Sequence, residues 1–161
     1  MQFKECYQNP FIEERADPYI TLGPDGFYYF TASYPMKSAD DKDGYDRVIL
    51  RRAKDISELT SAEEITIWKV ADTTLTHRFI WAPELHYIAG RWYVFYAGSE
   101  DKENNWAFDC HVLVCDCDDP YTGTWSEKGK FQKREDDDFS FTGFSLDMTY
   151  FEDGGRSYVI C

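Results

Sequence analysis

The sequence has no long apolar stretch. None of its 161 residues belongs to a run of the roughly 18 or more apolar residues that a membrane-spanning helix needs. The opening segment MQFKECYQNP has no charged start followed by an apolar run, which is the pattern of a secretory signal peptide. These absences predict a cytoplasmic chain with no membrane partner.

Positive charge is also scarce. The chain has 17 Lys and Arg against 30 Asp and Glu, for a formal net charge of −13, and acidic runs occupy 38–46 and 134–140. Because nucleic acids and anionic lipids are polyanions, neither is expected as a partner, and a neutral or cationic ligand is favoured. The first run is not a calcium loop: with Gly44 at the sixth position, Ala39 and Leu50 occupy the two anchoring ligand positions.

The cysteines do not form a ligand or disulfide pattern. They are odd in number and follow no metal-ligand spacing, so no metal site is predicted; they are Cys6, Cys110, Cys115, Cys117 and Cys161. Cys115 and Cys117 are two positions apart in the apparent strand CHVLVCDC, which would direct both to one face. We expect both to pack there as small apolar groups.

Helix signals are few, whereas aromatic residues are abundant. The only helix-like stretch is the polar AKDISELTSAEE, while 12 Tyr, 12 Phe and 5 Trp make up 18% of the chain. Aromatic rings suit the half-buried surface of a β-sheet, and they also suit the walls of a sugar site. The composition therefore favours an all-β fold in which most rings pack in the core.

A hairpin pattern recurs along the chain at a fixed interval. Asp17-Pro18, Ala82-Pro83 and Asp147-Met148 are each followed by an apolar strand, a glycine-containing turn and a second strand rich in aromatic and branched residues. Ala82 follows Asp17 by 65 positions, and Asp147 follows Ala82 by 65. The sequence thus contains a structural repeat of 65 residues.

Further strands complete each repeat. Apparent strands at 46–53 and 63–70 follow the first hairpin, and others at 110–117 and 123–131 follow the second. Four-stranded units at fixed spacing are typical of a β-propeller, with a sandwich of duplicated hairpins as the competing fold. We predict a first blade over 10–75, a second over 76–140 and the start of a third over 141–161.

The number of repeats is too small to close a propeller. The chain supplies about two and a half blades, whereas propellers close with at least about four. Unclosed blades would leave faces and strand edges exposed. We therefore expect either C-terminal blades elsewhere in a longer polypeptide or a second copy to complete the ring.

Two carboxylates occupy equivalent positions in the repeat. The innermost strand of a propeller blade lines the central channel, so Asp17 and Asp147 should converge on one funnel. Paired carboxylates are the groups that glycoside hydrolysis uses, one to activate water and another to protonate the departing oxygen. The repeat therefore indicates a glycosidase site.

The motifs RADPYI, WAPELHYIAGRWYVFYAG, FSLDMTYFEDGGRSYV and LVCDCDDPYTGTW resemble the first blades of the family-43 glycoside hydrolases over nearly the whole chain. The resemblance implies an inverting, five-bladed propeller acting on arabinose- or xylose-containing glycans. It implies that Asp17 is the general base, that Asp147 modulates the pKa of the general acid and helps hold the sugar, and that Trp81 lies near the sugar. The alternative for Trp81 is packing under Pro83.

The departure from the family pattern concerns the general acid. In the family this acid is a Glu of the fourth blade, so the 161 residues are expected to be inactive alone. We call the position that Asp17, Ala82 and Asp147 occupy in each repeat the strand head. Glu84 is the only carboxylate near a strand head that could substitute for the missing general acid. A structural hydrogen-bonding role is expected for it instead. No cofactor is expected, although a central calcium is possible in the complete protein; His86 should not bind it, because it belongs to the second blade.

Two other classes of protein compete with the glycosidase. A non-catalytic carbohydrate-binding propeller would keep the aromatic funnel without the acid. A protein-interaction propeller of the WD40 or kelch type would show repeats of about 40 to 50 residues with their own signatures, which this sequence lacks.

Overall fold

The computed structural model describes residues 7–38, 44–72, 76, 78–101, 103–104 and 106–161. Over these residues the chain forms ten strands and two short 3₁₀ segments, Ile56–Thr60 and Val70–Asp72. The all-β prediction is confirmed. Neither 3₁₀ segment is long or apolar enough to cross a membrane.

The strands form two four-stranded antiparallel sheets and a hairpin. The first sheet contains β1 (Ala16–Leu22), β2 (Tyr28–Ser33), β3 (Arg47–Ala53) and β4 (Ile65–Lys69), in that order. The second contains β5 (Arg78–Ile88), β6 (Arg91–Ser99), β7 (Phe108–Cys115) and β8 (Trp125–Lys130). The hairpin pairs β9 (Thr149–Asp153) with β10 (Arg156–Ile160). These units lie within the three predicted blades, whose limits remain predictions.

Two of the hairpins close through two-residue turns. Ala89 and Gly90 join β5 to β6 with φ of 49° and 83°, and Gly154 and Gly155 join β9 to β10 with φ of 55° and 75°. Two successive positive φ values define the type I′ turn, whose twist matches that of paired strands. The glycines supply the backbone freedom that these turns require.

Apolar side chains are buried on both faces of the first two sheets. One cluster lies between the sheets and includes Leu50, Trp68, Ile80 and Trp92. A second lies on the other face of the first sheet around Phe30 and Leu59, and a third lies between the second sheet and the hairpin around Phe95 and Met148. A two-sheet sandwich has one core between its sheets, so this succession of cores is that of stacked blades in a partial propeller.

Two local features differ from what their sequence patterns suggest. The helix-like stretch forms only the 3₁₀ turn Ile56–Thr60, where the Asp55 carboxylate accepts a hydrogen bond from the Ser57 amide at 2.8 Å. The prediction that both neighbouring cysteines pack inside is wrong for one of them. Strand β7 ends at Cys115, which is buried, so Cys117 lies beyond the strand and is exposed.

Candidate active site

The three strand heads of the repeat share one unusual backbone conformation. Asp17, Ala82 and Asp147 have φ of 50°, 43° and 55°, in the left-handed region that residues other than glycine rarely occupy. Asp is among the residues that tolerate this region best, because its short polar side chain can bond locally. The conformation thus repeats together with the 65-residue spacing.

β-Bulges account for the first two of these heads. Ala16 pairs with Ser33 and Tyr19 with Thr31, so β1 carries one more residue than β2 over this stretch. The same extra residue occurs in β5, where Trp81 pairs with Ala97 and Glu84 with Phe95. A bulge bends its strand and re-aims a side chain, and it tolerates a proline, which has no N–H to donate to the ladder. Pro18 and Pro83 therefore suit the bulged backbone, which directs Asp17 and Ala82 out of the sheet.

The heads meet at a small cavity. This cavity has a volume of about 240 Å³ and is lined by Asp17, Pro18, Tyr19, Ala82, Glu84 and Asp147. The two aspartates singled out from the sequence are thus brought together, and Glu84 joins them. Three carboxylates around one concave space form a candidate site for acid–base chemistry.

A buried serine links the first head to the second. The Ser33 hydroxyl donates a hydrogen bond to Asp17 Oδ2 at 2.8 Å and accepts one from the Ala82 backbone N–H at 2.8 Å. Ser33 is fully buried. It therefore fixes the orientation of the Asp17 carboxylate relative to the second blade.

Sequence reasoning missed Ser33. A signal was present, because Ser33 ends the second strand of the first hairpin, opposite the residue before Asp17. Recognising it required the exact register of the bulged ladder, which the sequence alone does not supply.

The pKa of one carboxyl group in the cavity is raised. Partial burial raises the pKa of Asp147 above its ordinary value of 3.8, and the negative charges of Asp17 and Glu84 raise it further. Burial also raises the pKa of the Tyr19 hydroxyl, with a smaller contribution from the charge of Glu84. The carboxylates are therefore close enough to influence one another electrostatically.

Glu84 is held by a histidine. His86 Nε2 lies 3.0 Å from Glu84 Oε2, and its Nδ1 lies 3.5 Å from the Tyr19 hydroxyl. The His86 ring is buried and contacts Phe95 and Tyr150. Glu84 thus has a hydrogen-bonding partner in its own strand, and its structural role stays a prediction.

Trp81 is not among the residues that line the cavity. Its ring stacks on Phe108 with centroids 4.2 Å apart and contacts Tyr45, Phe79 and Trp106. It directly precedes the cavity-lining Ala82 in the sequence, but its ring packs in this aromatic cluster. Its predicted contact with sugar stays a prediction.

His111 and the described group of possible metal ligands do not line the cavity. His111 is fully buried and stacks on Tyr96, while His77 falls outside the described residues. Among the described residues, one group brings three possible metal ligands within 4.8 Å of one another: Cys115, Asp116 and Cys117. None of these lines the cavity.

The family model "Glycosyl hydrolases family 43" matches residues 7–161. Two relatives, from Streptomyces chartreusis and Streptomyces avermitilis, are each named extracellular exo-α-(1→5)-L-arabinofuranosidase and are 40% identical over 153 residues. The crystal structure of an α-L-arabinofuranosidase from Lactobacillus brevis superposes with a TM-score of 0.78 at 35% identity.

The matches cover nearly all of this chain but only part of each relative. They span 95% of this chain in all three cases, against 42% and 29% of the two Streptomyces proteins and 45% of the Lactobacillus brevis chain. This chain therefore spans less than half the length of these relatives. The prediction of a cytoplasmic location is wrong, because both Streptomyces relatives are named extracellular enzymes, which points to secretion.

Proposed function

This chain belongs to glycosyl hydrolase family 43, and from that membership we propose that it is the N-terminal part of a secreted, inverting glycosidase acting on arabinose-containing glycans. The names of its relatives favour α-L-arabinofuranosides over xylosides. The observation that carries the proposal is that Asp17 and Asp147, which are two 65-residue repeats apart in the sequence, line the same cavity.

Asp17 is the proposed general base. In an inverting reaction a carboxylate removes a proton from water as the water attacks the anomeric carbon, and a carboxylic acid on the other side of the sugar protonates the leaving oxygen. Asp17 suits the first role because the Ser33 hydroxyl donates to one carboxylate oxygen, Oδ2, which sets the direction in which the group accepts a proton. The two groups stand roughly 6.5–9.5 Å apart in such enzymes, to leave room for the water.

Asp147 is the proposed modulator of the general acid. A negative charge beside a carboxylic acid disfavours its ionisation and keeps it protonated for leaving-group departure. The influence of Asp17 and Glu84 on the pKa of Asp147 supports such coupling within the cavity. Glu84, bonded to His86, is proposed to hold the cavity wall rather than to transfer protons.

The general acid and the remaining blades are proposed to come from further chain. The relatives are more than twice the length of the matched part, which supports this source over a second copy of the 161 residues. Exposed apolar side chains on the last hairpin, including Phe151, Val159 and Ile160, support the need for a covering blade. Any calcium at the centre of the ring would likewise belong to the complete protein.

A chimera tests the function directly. Residues 7–161 would replace the matching part of the Lactobacillus brevis arabinofuranosidase, and hydrolysis of 4-nitrophenyl α-L-arabinofuranoside would be measured. The chimera should turn over this substrate, whereas the 161 residues alone should be slower by at least about 10²–10⁴-fold, since general acid assistance contributes that much. The corresponding xyloside should be the poorer substrate.

Two variants make the test specific. Asp17→Asn in the chimera should abolish most turnover while leaving binding of arabinose intact, whereas Asp138→Asn, a change at an exposed aspartate of the acidic run, should have no effect. Full activity of Asp17→Asn would exclude Asp17 as the base. Sugar binding without any turnover by the unmodified chimera would favour the carbohydrate-binding propeller.

A further inference from the structure

Two cysteines and an aspartate lie close together where β7 ends. Cys115 is the last residue of β7, and Asp116 and Cys117 follow it directly. One possible ligand atom from each residue, two Sγ atoms and a carboxylate oxygen, lies within 4.8 Å of the other two. Two thiolates bound at about 2.3 Å to one tetrahedral zinc ion stand about 3.8 Å apart. The three side chains are therefore close enough to contact a single ion.

The two sulfur atoms meet beside a glycine. A Cβ atom at Gly123 would lie 2.3 Å from Cys115 Sγ and 2.6 Å from Cys117 Sγ. It would also lie 2.9 Å from the backbone oxygen of Asp119, so any side chain at this position would clash with all three atoms. The same Asp119 oxygen lies 4.0 Å from Cys115 Sγ and 3.8 Å from Cys117 Sγ. Two sulfur atoms and one oxygen thus converge on the same side of Gly123.

Hydrogen bonds hold the turn that carries these donors. The Asp116 N–H donates to the Thr124 backbone oxygen at 3.1 Å, and Asp116 Oδ1 accepts from the Thr124 N–H at 2.9 Å. Asp119 Oδ1 accepts from the Tyr121 N–H at 2.9 Å and from the Arg52 guanidinium at 2.9 Å. Hydrogen bonds behind the ligands orient them in metal sites. The fold therefore positions the donor atoms before any ion binds.

We propose that Cys115, Asp116 and Cys117 bind one thiophilic divalent cation, such as Zn²⁺, with the nearby Asp119 carbonyl oxygen as the fourth donor. Thiolate ligands select ions such as zinc, whereas calcium and magnesium prefer oxygen ligands alone. Each thiol that binds the ion releases its proton to solvent, and a bond from the sulfur to the ion replaces the S–H bond. Because Asp116 and Cys117 are exposed, an ion can reach the site from solvent.

The site is independent of the proposed glycosidase chemistry. None of its three side chains lines the cavity of Asp17 and Asp147. An ion bound there would join the end of β7 to the turn that leads to β8, so its effect would be on stability. Cysteine spacing alone gives no sign of the site, because two of the four donors are oxygen atoms, one from a side chain and one from the backbone.

Titration of the reduced, metal-free 161-residue chain with zinc chloride provides the test. Calorimetry should show one zinc ion bound per chain, and cadmium chloride should produce the ultraviolet charge-transfer band of a cadmium thiolate. Cys117→Ser and Asp116→Asn should each weaken zinc affinity at least about tenfold, since even changes behind the ligands cost about 10–100-fold. Two controls should leave the affinity unchanged: Cys161→Ser, at an exposed cysteine after the last hairpin, and Asp118→Asn, at an exposed aspartate of the same turn.

Two further measurements report on the same ion. Zinc should slow the reaction of the Cys117 thiol with Ellman's reagent, and a chelator should restore it. Zinc should also raise the urea midpoint of the parent chain but not that of Cys117→Ser, because an ion that binds only the folded state stabilises it. Unchanged zinc affinity in Cys117→Ser, no binding by the reduced parent, or tighter binding of calcium than of zinc would overturn the assignment. A disulfide between Cys115 and Cys117 in the chain purified without reductant would also overturn it, since an oxidised pair offers no thiolate.

Discussion

Replacing Ser33 with alanine should weaken the link between the first two blades. The change removes the hydrogen bond to Asp17 and leaves the Ala82 N–H without its present acceptor. A hydrogen bond to a charged group contributes about 1.5–3 kcal/mol, and a buried donor left unpaired costs about 1–3 kcal/mol. Because Asp17 is exposed and water can replace part of its bond, we take the lower values and expect a loss of about 2.5 kcal/mol in the free energy of unfolding.

Urea denaturation of the 161-residue chain measures this loss. With a slope of about 1–3 kcal/mol per molar urea, the midpoint should fall by about 1 M at an unchanged slope. In the active chimera, the same variant should lower kcat about tenfold or more while changing KM little, because a misaligned base acts in the chemical step more than in binding.

Two further variants refine the interpretation. Ser57→Ala removes another serine-to-aspartate hydrogen bond, of 2.6 Å to Asp55, on the exposed 3₁₀ turn and should produce a much smaller midpoint shift. A double-mutant cycle with Asp17→Ala should give a coupling free energy of at least about 0.5 kcal/mol. A Ser33→Ala midpoint equal to that of Ser57→Ala, or no coupling in the cycle, would refute the proposed link.

Three other changes have distinct expected results. Asp147→Asn should raise the free energy of unfolding near pH 7. The pKa of Asp147 is higher in the folded than in the unfolded chain, so its ionisation destabilises the fold as pH rises above 3.8. In urea denaturation at a series of pH values, the gain from the variant should therefore vanish below pH 3.8. Leu59→Ala should lower the free energy of unfolding by about 2–5 kcal/mol, since Leu59 is fully buried beside Phe30 in the first blade; thermal melting near that of the parent would contradict this packing. Cys117→Ser should remove one fast-reacting thiol in an assay with Ellman's reagent, whereas Cys115→Ser should not, because Cys115 is buried and burial raises its pKa to about 11.

Much of the architecture was predictable because each repeat is marked by local sequence patterns of strands and turns. The glycine turns and the apolar and aromatic strand segments follow from short-range chemistry, and together with the 65-residue interval they indicate stacked four-stranded sheets. The meeting of Asp17 and Asp147 follows from the same interval once the sheets stack. Glu84 was noticed from its position near a strand head, but its contact with His86 depends on packing.

The features that escaped prediction depend on exact register or on long-range packing. Ser33 acts on Asp17 only because a bulge shifts the ladder by one residue. Trp81 lies against Phe108 because rings from distant positions of the chain, including Tyr45 and Trp106, cluster around it. Cys117 is exposed because β7 ends two residues earlier, before the turn that leads to β8.

Ala82 has the left-handed backbone of the two aspartates without their carboxylate. Alanine gains nothing locally from this conformation, so the surrounding ladder must impose it, and the Ala82 amide is held by its bond to Ser33. The scaffold thus sets the direction of the side chain independently of its identity. The backbone at this position of each blade fixes the direction of whichever side chain it carries. Substituting asparagine, aspartate or histidine at position 82 could therefore add a new functional group without changing the main chain.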